Sequence, residues 1–366
     1  MDPYASIIQF NMKKLLGIVV LGLLFMNVNI SHAKITKKML GGKYNMGVKK
    51  KDTTLNLDKT YFRIHVSKEA FKNAKKNKFG WLDYGYALVS KEDGHPVRYG
   101  NTSQRFELRI DDCGAQYRKG SYRDCERKYK HHRLEAGTND DDNDFLFGHG
   151  DKRWVTFSLY MPTDWKPTRA TSTFFQFHSD KGPYPPVMYF KANKSNGFSL
   201  QIMTSEGMYE DKSGDACDGA VKFEGGNWCN GANLKYTIEK FYKIPELLAG
   251  KWNDFVIYAY FNQKNKGEIR IWMNGKQIVH FKGKTLFADY KGKKVHATIS
   301  YGIYEKIEES ENHLPWNKLR EIPSVHYYDE IWVKNKCKKL DLERLGYSCD
   351  KLLEQKGSIT PKRVVE

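Results

Sequence analysis

Phe174-Phe175-Gln176-Phe177-His178 alternates with the two-residue period of a strand, so Gln176 and His178 share one face while Phe175 and Phe177 share the other. A base-capable imidazole and a carboxamide then stand together on an apolar anchor. Two other segments carry the same pattern: Ser300-Tyr301-Gly302-Ile303-Tyr304 sets Tyr304 opposite Ile303, and Arg105-Phe106-Glu107-Leu108-Arg109-Ile110 alternates charge with hydrocarbon. Imidazole, phenol, carboxamide and guanidinium are the groups needed to break an acidic sugar chain by elimination. The C5 proton of a uronate can leave only if the neighbouring carboxylate is offset, because the intermediate places a second negative charge beside the first.

Such side chains need a rigid sheet. Alternating or β-rich runs predict strands near 60–66, 97–110, 153–161, 171–179, 187–192, 198–204, 253–262, 267–274, 277–282, 295–304 and 325–334. Asn274-Gly275 between two such runs is the signature of a tight hairpin. Ser67 to Lys76 reads as a short helix capped by Ser67. Many short strands without βαβ alternation or a long repeat predict an all-β fold, a single antiparallel β-jelly-roll sandwich (concanavalin A-like) with disulfide-stapled loops. The expected domain spans 60–350, after a Lys-rich extended segment at 34–59 and before a tail, 351–366, that lacks a core pattern.

The 366 residues, 40% hydrophobic, are enough for a sizeable core. With 61 Lys and Arg against 43 Asp and Glu, the net charge of +18 suits a polyanionic partner. Lys13-Lys14, an apolar run from Leu15 to Met26, and Ser31 and Ala33 read as a signal peptide over 1–33, starting effectively at Met12. Export to the periplasm or the medium is therefore expected, with no integral membrane segment in the mature chain. The six cysteines fit that compartment. Cys113 and Cys125, Cys217 and Cys229, and Cys337 and Cys349 are each separated by eleven residues, which predicts three sequential disulfides, while the absence of any C-x-x-C argues against zinc.

The chain resembles the jelly-roll polysaccharide lyases of the heparin-lyase and glucuronan-lyase group, relatives of the alginate lyases. Gln176-Phe-His178 matches that group's Q-x-H strand, Gly302-Ile303-Tyr304 its G-I-Y strand, and Arg105-Phe-Glu107-Leu-Arg109 and Arg133-Leu-Glu135 its R-x-E strands. Trp154 to Met161 with Pro162, and Gly267 to Gly275, are similar to its scaffold strands. Ser300 stands where heparin-type members resemble Lys-x-Gly-Ile-Tyr, a departure that turns the expected substrate from heparin toward a glucuronan-like polymer.

The resemblance implies a lyase that needs no cofactor. Gln176 and an arginine, Arg105 or Arg133, would offset the uronate carboxylate, and Tyr304 would protonate the departing O4. His178 or Tyr304 would take the C5 proton, with Tyr304 in both roles where that hydrogen and O4 lie on one side, as in glucuronate. Arg109, Glu107 and Lys191 would line the groove. A charge ladder on a solvated face is the plainer account of Arg105, Glu107 and Arg109. A non-catalytic module binding acidic carbohydrate on the same sandwich is the alternative function, and a monomer is expected. The acidic run Asp140 to Asp144 could hold a structural calcium, but Phe145 and Asp151 occupy the places where an EF-hand needs Gly and Glu. Nucleic acid is disfavoured because no zinc knuckle or helix-turn-helix accompanies the charge. No strand carries the alternating carboxylates of a jelly-roll glycosidase, and G-x-S-x-G is absent.

Overall fold

The computed structural model describes residues 86–109, 131–137, 146–168, 170–180, 184–193, 197–205, 236–245, 247–289, 292–306 and 322–358. Within them lie β1 (Tyr86–Ser90), β2 (Thr102–Leu108), β3 (His131–Gly137), β4 (Lys152–Tyr160), β5 (Thr171–Ser179), β6 (Met188–Asn193) and β7 (Gly197–Ser205). They continue with β8 (Tyr236–Lys243), β9 (Trp252–Tyr260), β10 (Gly267–Met273), β11 (Lys276–Gly283), β12 (Ala297–Lys306), β13 (Ser324–Lys334) and one helix, α1 (Cys349–Glu354). The strands form a seven-stranded sheet in the order β1-β2-β13-β4-β9-β10-β11 and a six-stranded sheet in the order β3-β12-β5-β6-β7-β8, every pairing antiparallel. This is the expected all-β sandwich. The expected strand at 60–66, the helix at 67–76, the acidic run at 140–144 and four of the six cysteines lie outside the described residues.

Each strand that alternates in sequence turns its apolar side inward. Val155, Phe157 and Leu159 of β4 and Phe255 and Ile257 of β9 meet Phe175 and Phe177 of β5 and Phe190 of β6. Phe157 is the centre: its ring stacks on Phe175 at 4.5 Å and on Phe255 at 4.7 Å. Offset aromatic contacts of this kind add to the burial of large apolar surface and lock the two sheets in one register.

The outer face of the seven-stranded sheet is covered. Trp154, Val256 and Trp272 pack against Cys337, Leu340, Leu342, Cys349 and Leu352, and Trp272 Nε1 donates to the Leu352 carbonyl at 3.0 Å. Cys337 and Cys349 are joined, as their spacing predicted. Buried Asp254 ties the same segment down, accepting from Arg98 Nη2 at 2.9 Å and from the hydroxyls of Ser158 and Tyr347 at 2.7 Å each. The expectation of a tail from residue 351 is corrected here: Leu352 is buried inside α1, and Gln355 Nε2 donates to the Gly275 carbonyl. A six-residue helix with two buried side chains shows too little periodicity to be read from sequence.

Two outcomes follow. Replacing Cys337 and Cys349 with Ser is expected to lower stability by about 3 kcal/mol through loss of a short closed loop, measured by denaturant unfolding. The second concerns Asp329, buried at an irregularity in β13, where its carboxyl accepts the backbone N–H groups of Arg98, Tyr99 and Glu330. Burial, then the adjacent Glu330 charge, pushes its pKa up from 3.8 to about 7. The unfolded chain therefore holds fewer protons than the native one between these values, so stability is full below pH ~4 and falls as pH rises to ~7. Unfolding titrations of Asp329→Asn should lack that slope.

Candidate functional site

The six-stranded sheet keeps a polar outer face. On β12, Ile299, Tyr301 and Ile303 are buried in the core; on β5, Phe175 and Phe177 are. Thr298, Ser300 and Tyr304 therefore share the other side with Gln176 and His178. Cross-strand register aligns Ser300, Gln176, Tyr189 and Gln201 in one row over β12, β5, β6 and β7. A second row holds Tyr304, Thr173, Lys191 and Ser199, with Arg133 of β3 the register partner of Tyr304. His178 is opposite Thr298, on the far side of the Gln176 row from Tyr304. The sheet thus places Gln176 between the imidazole and the phenol.

Gln176 is the most constrained member. It is 3% exposed, and its Nε2 donates to Glu135 Oε1 at 2.8 Å. Because a carboxylate only accepts, Glu135 fixes which end of the amide faces it. The opposite end, Oε1, is buried without a hydrogen-bond partner among the described residues. An orphaned acceptor in that setting costs free energy unless a ligand supplies the donor, and the second N–H of the same amide remains available to a carboxylate.

His178 Nδ1 lies 2.7 Å from the carbonyl oxygen of Ser179. A carbonyl accepts only, so Nδ1 carries the proton and Nε2 the lone pair, the tautomer a general base needs. Tyr189 donates its phenol hydrogen to Gln201 Oε1, and Lys191 Nζ stands 5.5 Å from the Tyr189 ring centre. These two rows make one polar surface of hydroxyls, amides and a cation, suited to a sugar chain. Among the described residues, no group of three or more His, Cys, Asp or Glu is placed to hold a metal.

The reach of Tyr304 depends on two irregularities. Between Tyr301 and Tyr304 the register of β12 on β5 shifts, and between Thr173 and Phe175 that of β5 on β6 shifts. Gly302 sits at the first, with φ +135 and with a notional Cβ 2.4 Å from the Leu134 carbonyl oxygen, so no other residue fits. Across the core, the phenol oxygen of Tyr328 is 2.7 Å from the carbonyl oxygens of both Phe174 and Gly302. It supplies those carbonyls with a shared donor, and burial pushes its own pKa well up, so it keeps the proton.

Arg105, Glu107 and Arg109 are not part of this face. Phe106 and Leu108 of β2 enter the core, so Arg105 and Glu107 point outward from the seven-stranded sheet, the opposite side of the sandwich from Gln176. There Arg105 pairs with Glu107 and donates to Tyr327 Oη at 3.3 Å, while Arg109 Nε bonds Glu107 at 2.8 Å. This corrects the expectation that Arg105 offsets the substrate carboxylate and that Glu107 and Arg109 line the groove. Alternation says which residues share a face, but not which sheet the strand joins. Of the two R-x-E strands, Arg133-Leu134-Glu135 is the one beside Gly302-Ile303-Tyr304.

The family profile described as polysaccharide lyase matches residues 86–332. This chain belongs to the polysaccharide lyase family. No curated protein sequence matches it significantly. Among solved structures, the lyase is similar to an endo-β-1,4-glucuronan lyase from the fungus Trichoderma reesei, at 12% identity and TM-score 0.46, over 71% of this chain and 91% of that one. The alginate lyase Aly36B is similar at 12% identity and TM-score 0.41, over 78% and 98%, in a mutant bound to an alginate trisaccharide. An alginate lyase from Klebsiella pneumoniae follows at 10% identity and TM-score 0.37, over 65% and 82%.

Tyr189, Gln201, Asp180 and His296 were not singled out by sequence reasoning. Tyr189 carried a signal, since Tyr189-Phe190-Lys191 alternates like the Gln176 strand. Tyr328→Phe is expected to cost roughly 1–3 kcal/mol of stability by stranding the buried Phe174 carbonyl, while that of Gly302 keeps His326 Nδ1 at 3.1 Å, and to lower turnover in the protein that remains folded. Denaturant unfolding and kcat measured on one preparation check both.

Proposed function

We propose that this lyase cleaves a uronate-containing polysaccharide by β-elimination on the polar face of the six-stranded sheet, with a glucuronan-like polymer as its substrate. The observation that carries the reading is Gln176: a buried amide fixed by Glu135, with an orphaned oxygen and a spare N–H, flanked by His178 and Tyr304. A uronate ring seated over it would direct its carboxylate to the amide N–H and to Arg133, offsetting the charge that grows at C5. Tyr304 would protonate the departing O4. Where the C5 hydrogen and O4 lie on one side, as in glucuronate, Tyr304 also takes the proton, helped by the cations in its row, Arg133 and Lys191. Where they lie opposite, His178 Nε2 is the base.

Two features support the finer substrate reading. Ser300 occupies the register position opposite Gln176, so a short hydroxyl stands where a lysine would crowd and charge the centre of the face. The net charge of +18 favours a polyanion at long range. The reading includes export, supported by the basic and apolar N-terminal pattern with Ser31 and Ala33.

The test is the rise in ultraviolet absorbance from the C4–C5 unsaturated end, over a panel of glucuronan, polymannuronate, polyguluronate and heparan. Glucuronan should give the strongest signal; silence on every polymer, with binding retained, would favour a non-catalytic module instead. Tyr304→Phe should abolish the signal on all substrates. His178→Ala should abolish it where the C5 hydrogen and O4 oppose each other and reduce it less on glucuronan. N-terminal sequencing of the exported protein should begin at Lys34.

A further inference from the structure

The β5–β12 ladder continues one step past the strand ends. After the Ser179 and Ala297 pair, the Asp180 N–H donates to the His296 carbonyl at 3.0 Å. Asp180 is two residues beyond His178, and His296 two residues before Thr298, while Ser179 and Ala297 turn inward. By the same alternation, Asp180 and His296 fall on the polar face that carries Gln176 and His178.

Both carboxylate oxygens of Asp180 engage His296. Its Oδ1 accepts the His296 backbone N–H at 2.8 Å and its Oδ2 bonds the ring Nδ1 at 3.0 Å, with the carboxylate side chain 0% exposed. The imidazole is 24% exposed. Gly148 lies against it: a Cβ there would come within 3.1 Å of His296 Cδ2 and 3.6 Å of Nε2. Asp151 Oδ2 holds that glycine by its N–H at 2.8 Å. One ring nitrogen is therefore fixed on a buried carboxylate, the ring lies on a bare backbone, and Nε2 has no hydrogen-bond partner among the described residues. A carboxylate on Nδ1 sets the tautomer and holds the ring in orientation, which is the arrangement that makes the remote nitrogen an effective binding group.

We infer that His296 is a substrate-binding residue of the lyase, whose Nε2 accepts a hydrogen bond from a hydroxyl of the sugar adjoining the one cleaved, and that Asp180 is its positioning residue. This rests on the reading that the Gln176 and His178 face is the active face. Two residues along a strand are about 7 Å, so His296 stands one such step beyond His178. A ring over Gln176 is served by His178, and the next ring toward that end meets His296. Nothing in the elimination step itself uses this imidazole, so its contribution is to affinity for the chain and not to the rate of bond breaking.

The experiment measures kcat and KM on uronate polymer and on the shortest oligosaccharide still cut, for the wild type, His296→Ala, His296→Gln and Asp180→Asn. For His296→Ala, KM on polymer should rise about tenfold with kcat within about twofold, and the rise should vanish on the short substrate. His296→Gln, whose amide oxygen keeps an acceptor at similar reach, should recover part of the affinity, and Asp180→Asn should show a smaller rise of the same kind. Thermal unfolding of each variant separates this from a strand-closing role, which would lower the melting temperature and leave KM of the folded protein unchanged. An unchanged polymer KM in His296→Ala, or equal changes on long and short substrates, overturns the inference. A wild type that cuts no uronate polymer, or a Tyr304→Phe variant as active as wild type, overturns the reading of the face beneath it.

Discussion

The phenol of Tyr328 is the contact on which the polar face of the six-stranded sheet depends. It reaches across the sandwich from β13 to the Phe174 and Gly302 carbonyls, the two residues at the irregular steps of β5 and β12. A bulge leaves backbone groups out of the ladder, and a carbonyl directed into hydrocarbon without a donor costs on the order of 1–3 kcal/mol. The single buried O–H is shared between the two, and His326 Nδ1, 3.1 Å from the Gly302 carbonyl oxygen, is a second partner there. The Tyr328 ring also packs edge-on to Phe106 at 5.4 Å, so the donor is held by the core it serves.

With both irregularities in place, the strands no longer keep equal step. From the Gln176 row to the Thr173 row, β12 advances from Ser300 to Tyr304, β5 from Gln176 to Thr173 and β6 only from Tyr189 to Lys191. Strands of unequal length between the same two rows bend the sheet. The amide and the phenol consequently occupy neighbouring rows of one bent surface. The chemistry of the site is thus set by backbone geometry before any side chain acts.

The two outer faces of the sandwich have different fates. That of the seven-stranded sheet is closed by the C-terminal segment, pinned through Asp254, Trp272 and the Cys337–Cys349 bond. Its charged side chains pair among themselves, Arg105 and Arg109 with Glu107 on β2 and Arg270 and His280 with Glu268 on β10 and β11. The six-stranded sheet holds Gln176, whose buried amide oxygen has no partner among the described residues, at the middle of its polar rows. An orphaned buried acceptor is tolerated where a ligand completes it; Gln277 Oε1 of the seven-stranded sheet is also unpartnered, so what distinguishes the Gln176 position is the set of polar rows around it.

Local alternation in the chain was enough to determine the strands around Phe157, Phe175 and Phe255, the pairing of Gln176 with His178 on one side, the Asn274-Gly275 hairpin and the Cys337–Cys349 link. Those features depend on neighbours a few residues apart, where period and spacing carry the information. β1, β3 and β8 escaped it, and so did the burial of Leu352, because short or charged segments show no period of their own. Which R-x-E strand stands beside Tyr304 was decided only by tertiary structure, since Arg105-Phe-Glu107 and Arg133-Leu-Glu135 are alike in pattern and differ in the sheet they join. The Tyr328–Phe174 contact and the Asp180–His296 pair likewise join residues more than a hundred apart; the first exists only once the two sheets have closed, the second only once β5 and β12 have paired.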